Sequence, residues 1–272
     1  MPPRSQDESR PHFHFHGHGH AFSAQFTRPF HEQIDVLAGA ALPPTGGHGS
    51  SSVENFRFRQ FISFKRGYTH VSGGYQSEDE SNNTLVTSVI EGLNMMDVLT
   101  ADRIVCRLYS KHKKDEREGK ITMHGSKFEN LSICGVPVDI KLDFDLFEGI
   151  KTYEDAQKAF KSKSNSKSDD KFKRLVKDPL RSGTPLPAPE CNGAFLCSLV
   201  LEGGIKTEAP GVKPSGHSLY VPGFGRVFFA ETVLSHGTRT LTMLRFELGS
   251  TTSGGGSAAS ATSNGRQFPP TG

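Results

Sequence analysis

The sequence predicts a mainly β protein, an antiparallel β-sandwich or barrel with a small inserted pair of helices and flexible termini. Three observations lead there. Val, Ile, Thr, Leu and Phe recur with a period of two along most of residues 21–249. Turn residues break these runs at short intervals. Helical spacing is confined to one stretch, without the strand–helix alternation of a parallel sheet. At 272 residues, the length allows one large all-β domain or two smaller ones, and the unbroken β patterning favours one.

Residues 1–20 are rich in Pro, His and Gly and carry little apolar surface, so a flexible arm is expected there. Removing it should leave folding intact. Two short strands fit AFSAQFTRPF and EQIDVLAGAAL, which PPTGG ends. In VENFRFRQFISF, Phe56 and Phe58 alternate with Arg57 and Arg59 before Phe61 and Phe64 take the opposite phase, as a β-bulge would cause. NTLVTSVIEGLNMMDVLTADRIVCRLYS has the strongest β character and predicts two strands reversing around Glu91 to Asn94. In the second of them Ile104, Cys106 and Leu108 share one face, Val105 and Tyr109 the other; two apolar faces place it centrally.

KHKKDEREGK reads as a solvated loop. Beyond it, Val138, Ile140, Leu142, Phe144 and Leu146 alternate with Asp139, Lys141, Asp143 and Asp145, which predicts a strand with one dry and one wet side. The period then changes. Thr152 suits an N-cap with Asp155 at N3, and Tyr153, Ala156 and Phe160 share a helical face. A second short helix is expected from Ser168, with Phe172, Leu175 and Val176 as its stripe, and RSGTPLPAPE follows as a Pro-rich linker. Together these make an insert over residues 150–190. Strands resume at AFLCSLVLE and HSLYVP, and GRVFFAETVLSHGTRTLTMLRFELG reads as a hairpin. Residues 250–272 are a Gly/Ser-rich tail, expected to be flexible.

The histidines of HFHFHGHGH hold the most conspicuous chemistry. On an extended chain His12, His14, His16, His18 and His20 point to one side, roughly 6.5 to 7 Å apart. Paired imidazoles of this kind bind zinc, nickel or copper, whereas a catalytic centre also needs a rigid third ligand. Imidazoles also change charge near neutrality, so a pH-responsive segment is a further reading. Asp139, Asp143 and Asp145, near Glu148, are acids that calcium would use, but they lack the spacing of a calcium loop. HEQID begins as a zinc-protease helix does and ends in Asp35 instead of His. GFGRVF has two glycines with no helix after them, and no G-x-S-x-G elbow occurs. Glu91 and Asp102 fall inside strands, where Arg103 or Arg107 is the expected partner.

Composition excludes further classes. Basic and acidic side chains number 32 and 29, so the polyelectrolyte attraction behind nucleic-acid binding is missing. No run of about 18 apolar residues predicts a membrane span, and the first 30 residues lack the order of an export signal. A cytoplasmic setting is therefore the default expectation, with reduced thiols at Cys106, Cys134, Cys191 and Cys197, although Cys191 and Cys197 would close a short loop in an oxidising compartment. With no Trp and five Tyr, the stacking platforms of carbohydrate-binding modules are scarce.

The stretches SVENFRFRQFISFKRGYTHVSG, TLVTSVIEGLNMMDVLTADRIVCRL, GSKFENLSICGVPVDIKLD and FGRVFFAETVLSHGTRTLTMLRFELG resemble an uncharacterised family of bacterial β-rich proteins. The order EGL, VLTADRIV, F-x-N-L-x-I-x-G-x-P-V is also distantly similar to the choice-of-anchor P surface domains. That resemblance implies a β architecture and a surface or extracellular setting, and it carries no catalytic residue. Patterning and motifs together lead to a non-enzymatic binding or assembly protein, able to recruit a partner or a second copy by strand addition at a sheet edge. The alternative is a metal-dependent enzyme whose ion is held by the histidine array and one remote ligand.

Overall fold

Side chains that alternate between apolar and polar along so many segments need two layers to hide their apolar halves, and the chain supplies two sheets. The computed structural model describes residues 12–113, 116, 118–147, 150, 152–161, 194–235, 238–249 and 251–268. Strands are numbered in chain order. Across the first sheet they run β14 (Lys213–Ser215), β15 (Ser218–Val221), β16 (Gly225–Ser235), β17 (Thr238–Leu248), β18 (Ser253–Phe268), β1 (His12–Arg28) and β2 (Glu32–Leu37). β12 (Ala194–Ser198) also pairs with β16, and β3 (Ala40–Ala41) with β1. Across the second they run β13 (Val200–Thr207), β11 (Val136–Leu142), β10 (Ser132–Ile133), β7 (Leu99–Lys113), β6 (Ser81–Met95), β5 (Ile62–Gln76) and β4 (Gly47–Phe58). β8 (Lys120–Thr122) and β9 (Lys127–Glu129) pair with β7. All described pairings are antiparallel, and both sheets keep open edges, so the architecture is a sandwich.

The core between the layers is aromatic and aliphatic. Phe22 on β1 is fully buried, stacks on Phe246 of its own sheet at 6.1 Å and meets Phe64 of the opposite sheet at 6.0 Å. Ile90, Leu93, Ile104, Cys106 and Leu108 face it from β6 and β7, and β7 is the central strand that its two apolar faces predict.

The termini differ from expectation. Residues 12–20, expected to be a mobile arm, form the first half of β1, and Ser253–Phe268, expected to be a loose tail, form β18. The two strands pair with each other over almost their whole lengths, from His12 opposite Phe268 to Arg28 opposite Ser253. The domain therefore runs well past the limits of 21 and 249, and removing residues 12–20 would take half of the strand that pairs with β18, one strand in from the β2 edge. Low hydrophobicity misleads here because the backbone ladder needs no apolar side chains and two of the inward positions, Gly17 and Gly19, are glycines that fit against β6. A Cβ on Gly19 would lie 2.6 Å from Ser88 Oγ and 2.8 Å from Ser260 O, so glycine lets β1 approach β6.

Three local expectations also change. The phase switch in VENFRFRQFISF is a hairpin: Phe58 ends β4, Ile62 opens β5, and Arg59 turns the chain at a φ of 51°. The β6–β7 reversal falls at Met96 and Asp97, both with positive φ, because the strands stay paired through Met95 and Leu99. Phe144–Phe147 leaves the expected strand and forms a 3-10 turn. The helix α1 (Tyr153–Lys161) starts at Thr152 as its capping box predicts: Asp155 N–H donates to Thr152 Oγ1 and Thr152 N–H to Asp155 Oδ2, each at 3.1 Å. Tyr153 and Phe160 pack it on Phe195 of β12. The second helix expected from Ser168, and the Pro-rich linker, lie outside the described residues.

Candidate functional site: the outward face of the first sheet

Strand alternation separates β1 into two sets. Phe15, Gly17 and Gly19 turn toward the core, so His14, His16, His18 and His20 line up on the opposite, outward face. The rings of His16 and His18 stand 5.2 Å apart. His12 belongs to the same strand, opposite Phe268. The array is thus a column fixed on a sheet.

Register sets hydroxyls beside this column. His20 lies opposite Ser260, Ser260 opposite Thr242, and Thr242 opposite Glu231, a row across β1, β18, β17 and β16. Thr242 and Ser260 hydroxyls are 3.1 Å apart, and Thr240 and Thr262 hydroxyls 3.0 Å apart in the neighbouring row. His20 Nε2 contacts Ser257 Oγ at 3.1 Å and Ser23 Oγ at 3.4 Å. Burial, then the neighbouring imidazole, lowers the pKa of both His18 and His20, so this end of the column is neutral at pH 7.

The row ends in a buried charge cluster. Glu231 Oε2 accepts from Arg245 Nε at 2.5 Å, and Oε1 accepts from Arg245 Nη2 at 3.0 Å and His217 Nε2 at 3.1 Å. Burial alone would raise the Glu231 carboxyl, but the hydrogen bonds from His217 and Arg245 outweigh it and hold the group below the usual glutamate range. Arg245 also lies 3.7 Å over the Phe228 ring and reaches Glu247. Beside it a shallow depression of about 530 Å³ opens, with Gly255 and Gly256 in its lining and Arg245, Glu247, Ser23, Ser257 and Gln33 around them. A Cβ on Gly256 would meet Ser23 O at 2.4 Å and the Phe246 ring at 2.6 Å, so glycine there admits the core ring.

The remaining residues singled out by the sequence do not join this face. Glu91 pairs with Arg103 at 3.3 Å as expected, whereas Asp102 accepts from Asn130, between β9 and β10, at 2.7 Å instead of from an arginine. Asp139 and Asp145 are exposed while Asp143 is buried, and Glu148 lies outside the described residues. Asp35 sits on β2, and GFGRVF is the turn into β16, with Gly223 and Gly225 at positive φ. Cys106 and Cys197 are buried, Cys134 is exposed, and Cys191 lies outside the described residues. Among the described residues no group of three or more His, Cys, Asp or Glu is placed to hold a metal ion. Sequence reading missed Glu231, Arg245 and His217. The available signal was a lone acid inside the apolar run VFFAETVL, which burial makes costly unless a cation meets it.

Fold and face define a two-sheet antiparallel β-sandwich whose first sheet carries a polar outward surface. Residues 13–235 match the family described as "Domain of unknown function (DUF8256)", and the chain belongs to that family. The match spans β1 to β16, while β17 and β18 complete the first sheet beyond it. No curated protein and no solved structure matches the chain. Among the described residues no helix is long and apolar enough to cross a membrane.

Proposed function

We propose that the chain is a non-enzymatic binding or assembly protein whose working surface is the outward face of the first sheet, with the histidine column docking zinc, nickel or copper. The observation that carries this is the pair His16 and His18, exposed on a rigid strand with ring centroids 5.2 Å apart. Two imidazoles two positions apart on a strand converge on one ion and leave its other coordination positions to water or to a second copy. Assembly also has an edge to use: β4 is a twelve-residue strand at the end of its sheet, paired there with β5. The metal-enzyme reading finds no remote ligand among the described residues. The described side-chain hydrogen bonds of His20 go to two serine hydroxyls, an arrangement that ties strands together.

Calorimetric titration of untagged, chelator-washed protein with zinc chloride tests the proposal, with the double variant His16→Gln/His18→Gln beside it. Saturable binding by the native chain and its loss in a variant of unchanged thermal stability is the expected pair of results. Equal binding by both proteins, or none by either, rejects the metal-docking role.

A further inference from the structure

We propose that a second site, on the other sheet, binds a small amphipathic anion of the aliphatic carboxylate class. A cavity of about 270 Å³ opens at the β7–β8 edge, close to the lower end of the size range of small-molecule pockets. Its wall combines two kinds of surface. Ile121, Met123, Phe147 and Leu199 contribute buried apolar groups, whereas Lys111 and Lys120 contribute basic side chains. His124, its ring tilted against Phe144 at 5.1 Å, is also in the lining.

The two lysines carry the argument. Lys111 on β7 and Lys120 on β8 are direct cross-strand partners, a pairing of like charges that costs stability unless something offsets it. Each has a carboxylate of its own: Lys111 bonds Asp79, and Lys120 Nζ lies 2.6 Å from Glu116 Oε1. Neither acid lines the cavity, whose described wall holds cations and no carboxylate. Each ammonium has three donors, so one carboxylate partner leaves capacity for a second acceptor. A ligand that fits must therefore bring a negative head for the lysines and an apolar body for the Ile121–Phe147 floor. A neutral apolar molecule gains nothing from the lysines' remaining donors, and a small hydrophilic anion leaves the floor wet.

Sodium octanoate, octanol, octyltrimethylammonium and acetate, titrated into the full chain while the methyl resonances of Ile121 and Met123 are followed, decide the matter. Octanoate is expected to saturate and shift those methyls, binding at least tenfold more tightly than octanol or acetate, with octyltrimethylammonium weakest. Lys111→Gln/Lys120→Gln should erase the margin over octanol and keep the native unfolding temperature; if the double variant fails to fold, Lys120→Gln alone should narrow the margin. Octanol binding as well as octanoate overturns the proposal, as does saturation that leaves the Ile121 and Met123 methyls unmoved or a margin that survives in the variant. The histidine column lies on the opposite sheet, so this outcome is independent of zinc binding there.

Discussion

Arg245 grips Glu231 with two hydrogen bonds, Nε to Oε2 at 2.5 Å and Nη2 to Oε1 at 3.0 Å, and His217 adds a third at 3.1 Å. The Glu231 side chain is 8% exposed, so its charge depends on these partners instead of water. Glu231→Ala leaves a half-buried guanidinium without its main acceptor, and a loss of about 3 to 5 kcal/mol is expected, of the size found for breaking buried pairs. Urea denaturation measures it. A loss under 1 kcal/mol would show that the cluster is solvated.

Acid should weaken the fold in two steps. His18 and His20 have folded pKa values below the ordinary histidine value, so their contribution is complete above about pH 6.5 and is lost as pH falls through the lowered values. Glu231 is likewise depressed, so its contribution is present above about pH 4.3 and is lost on further acidification. Stability measured from pH 8 to pH 3 should fall first below about 6.5. His18→Gln/His20→Gln should flatten that first decline and leave the second; an unchanged curve contradicts the assignment.

Thiol reactivity should divide by burial. Cys106 and Cys197 are fully buried, and burial pushes both thiols up, away from thiolate. Cys134, exposed at a turn with φ 51°, is accessible. In a Cys191→Ser background, Ellman's reagent should modify one thiol quickly in the native protein and three after denaturation. Rapid native labelling of Cys106 or Cys197 would contradict the packing.

The inward side of β1 should tolerate little change. Gly19→Val places a branched side chain where even a Cβ would meet Ser88 Oγ at 2.6 Å and Ser260 O at 2.8 Å, and should destabilise by at least about 1 to 3 kcal/mol. Phe22→Ala should cost about 3 to 5 kcal/mol, since it removes the ring that both Phe64 and Phe246 pack on. Thermal unfolding compares both with His14→Gln on the outward face, where little change is expected.

Much of the sandwich is legible from alternation alone. Ile104, Cys106 and Leu108 announce a central strand, and Thr152 with Asp155 announces a helix start, because burial and capping act on neighbours in sequence. The terminal strands were hidden for a physical reason. Gly17, Gly19 and Gly254–Gly256 signal flexibility when read locally, yet in the fold they answer close approaches across the sheets and strands, set by partners more than 200 positions away for β1 and β18. The histidine column was readable as a periodic array, while its footing on a sheet was not. Glu231, Arg245 and His217 come together only through strand register, with Ala230 at a φ of 49° inside β16 while the pairing with β17 keeps its register on either side.

Both proposed surfaces rest on the sheets, and the first of them on the pairing of β1 with β18. Amide hydrogen exchange followed by mass spectrometry over peptides covering 12–28 and 253–268 tests that pairing most directly. Protection comparable to that of β6 and β7, lasting minutes to hours at pH 7, is the predicted result. Exchange of residues 14–20 and 256–263 at the rate of an unstructured chain would show that the histidines occupy no fixed column, and the account of this face would be withdrawn.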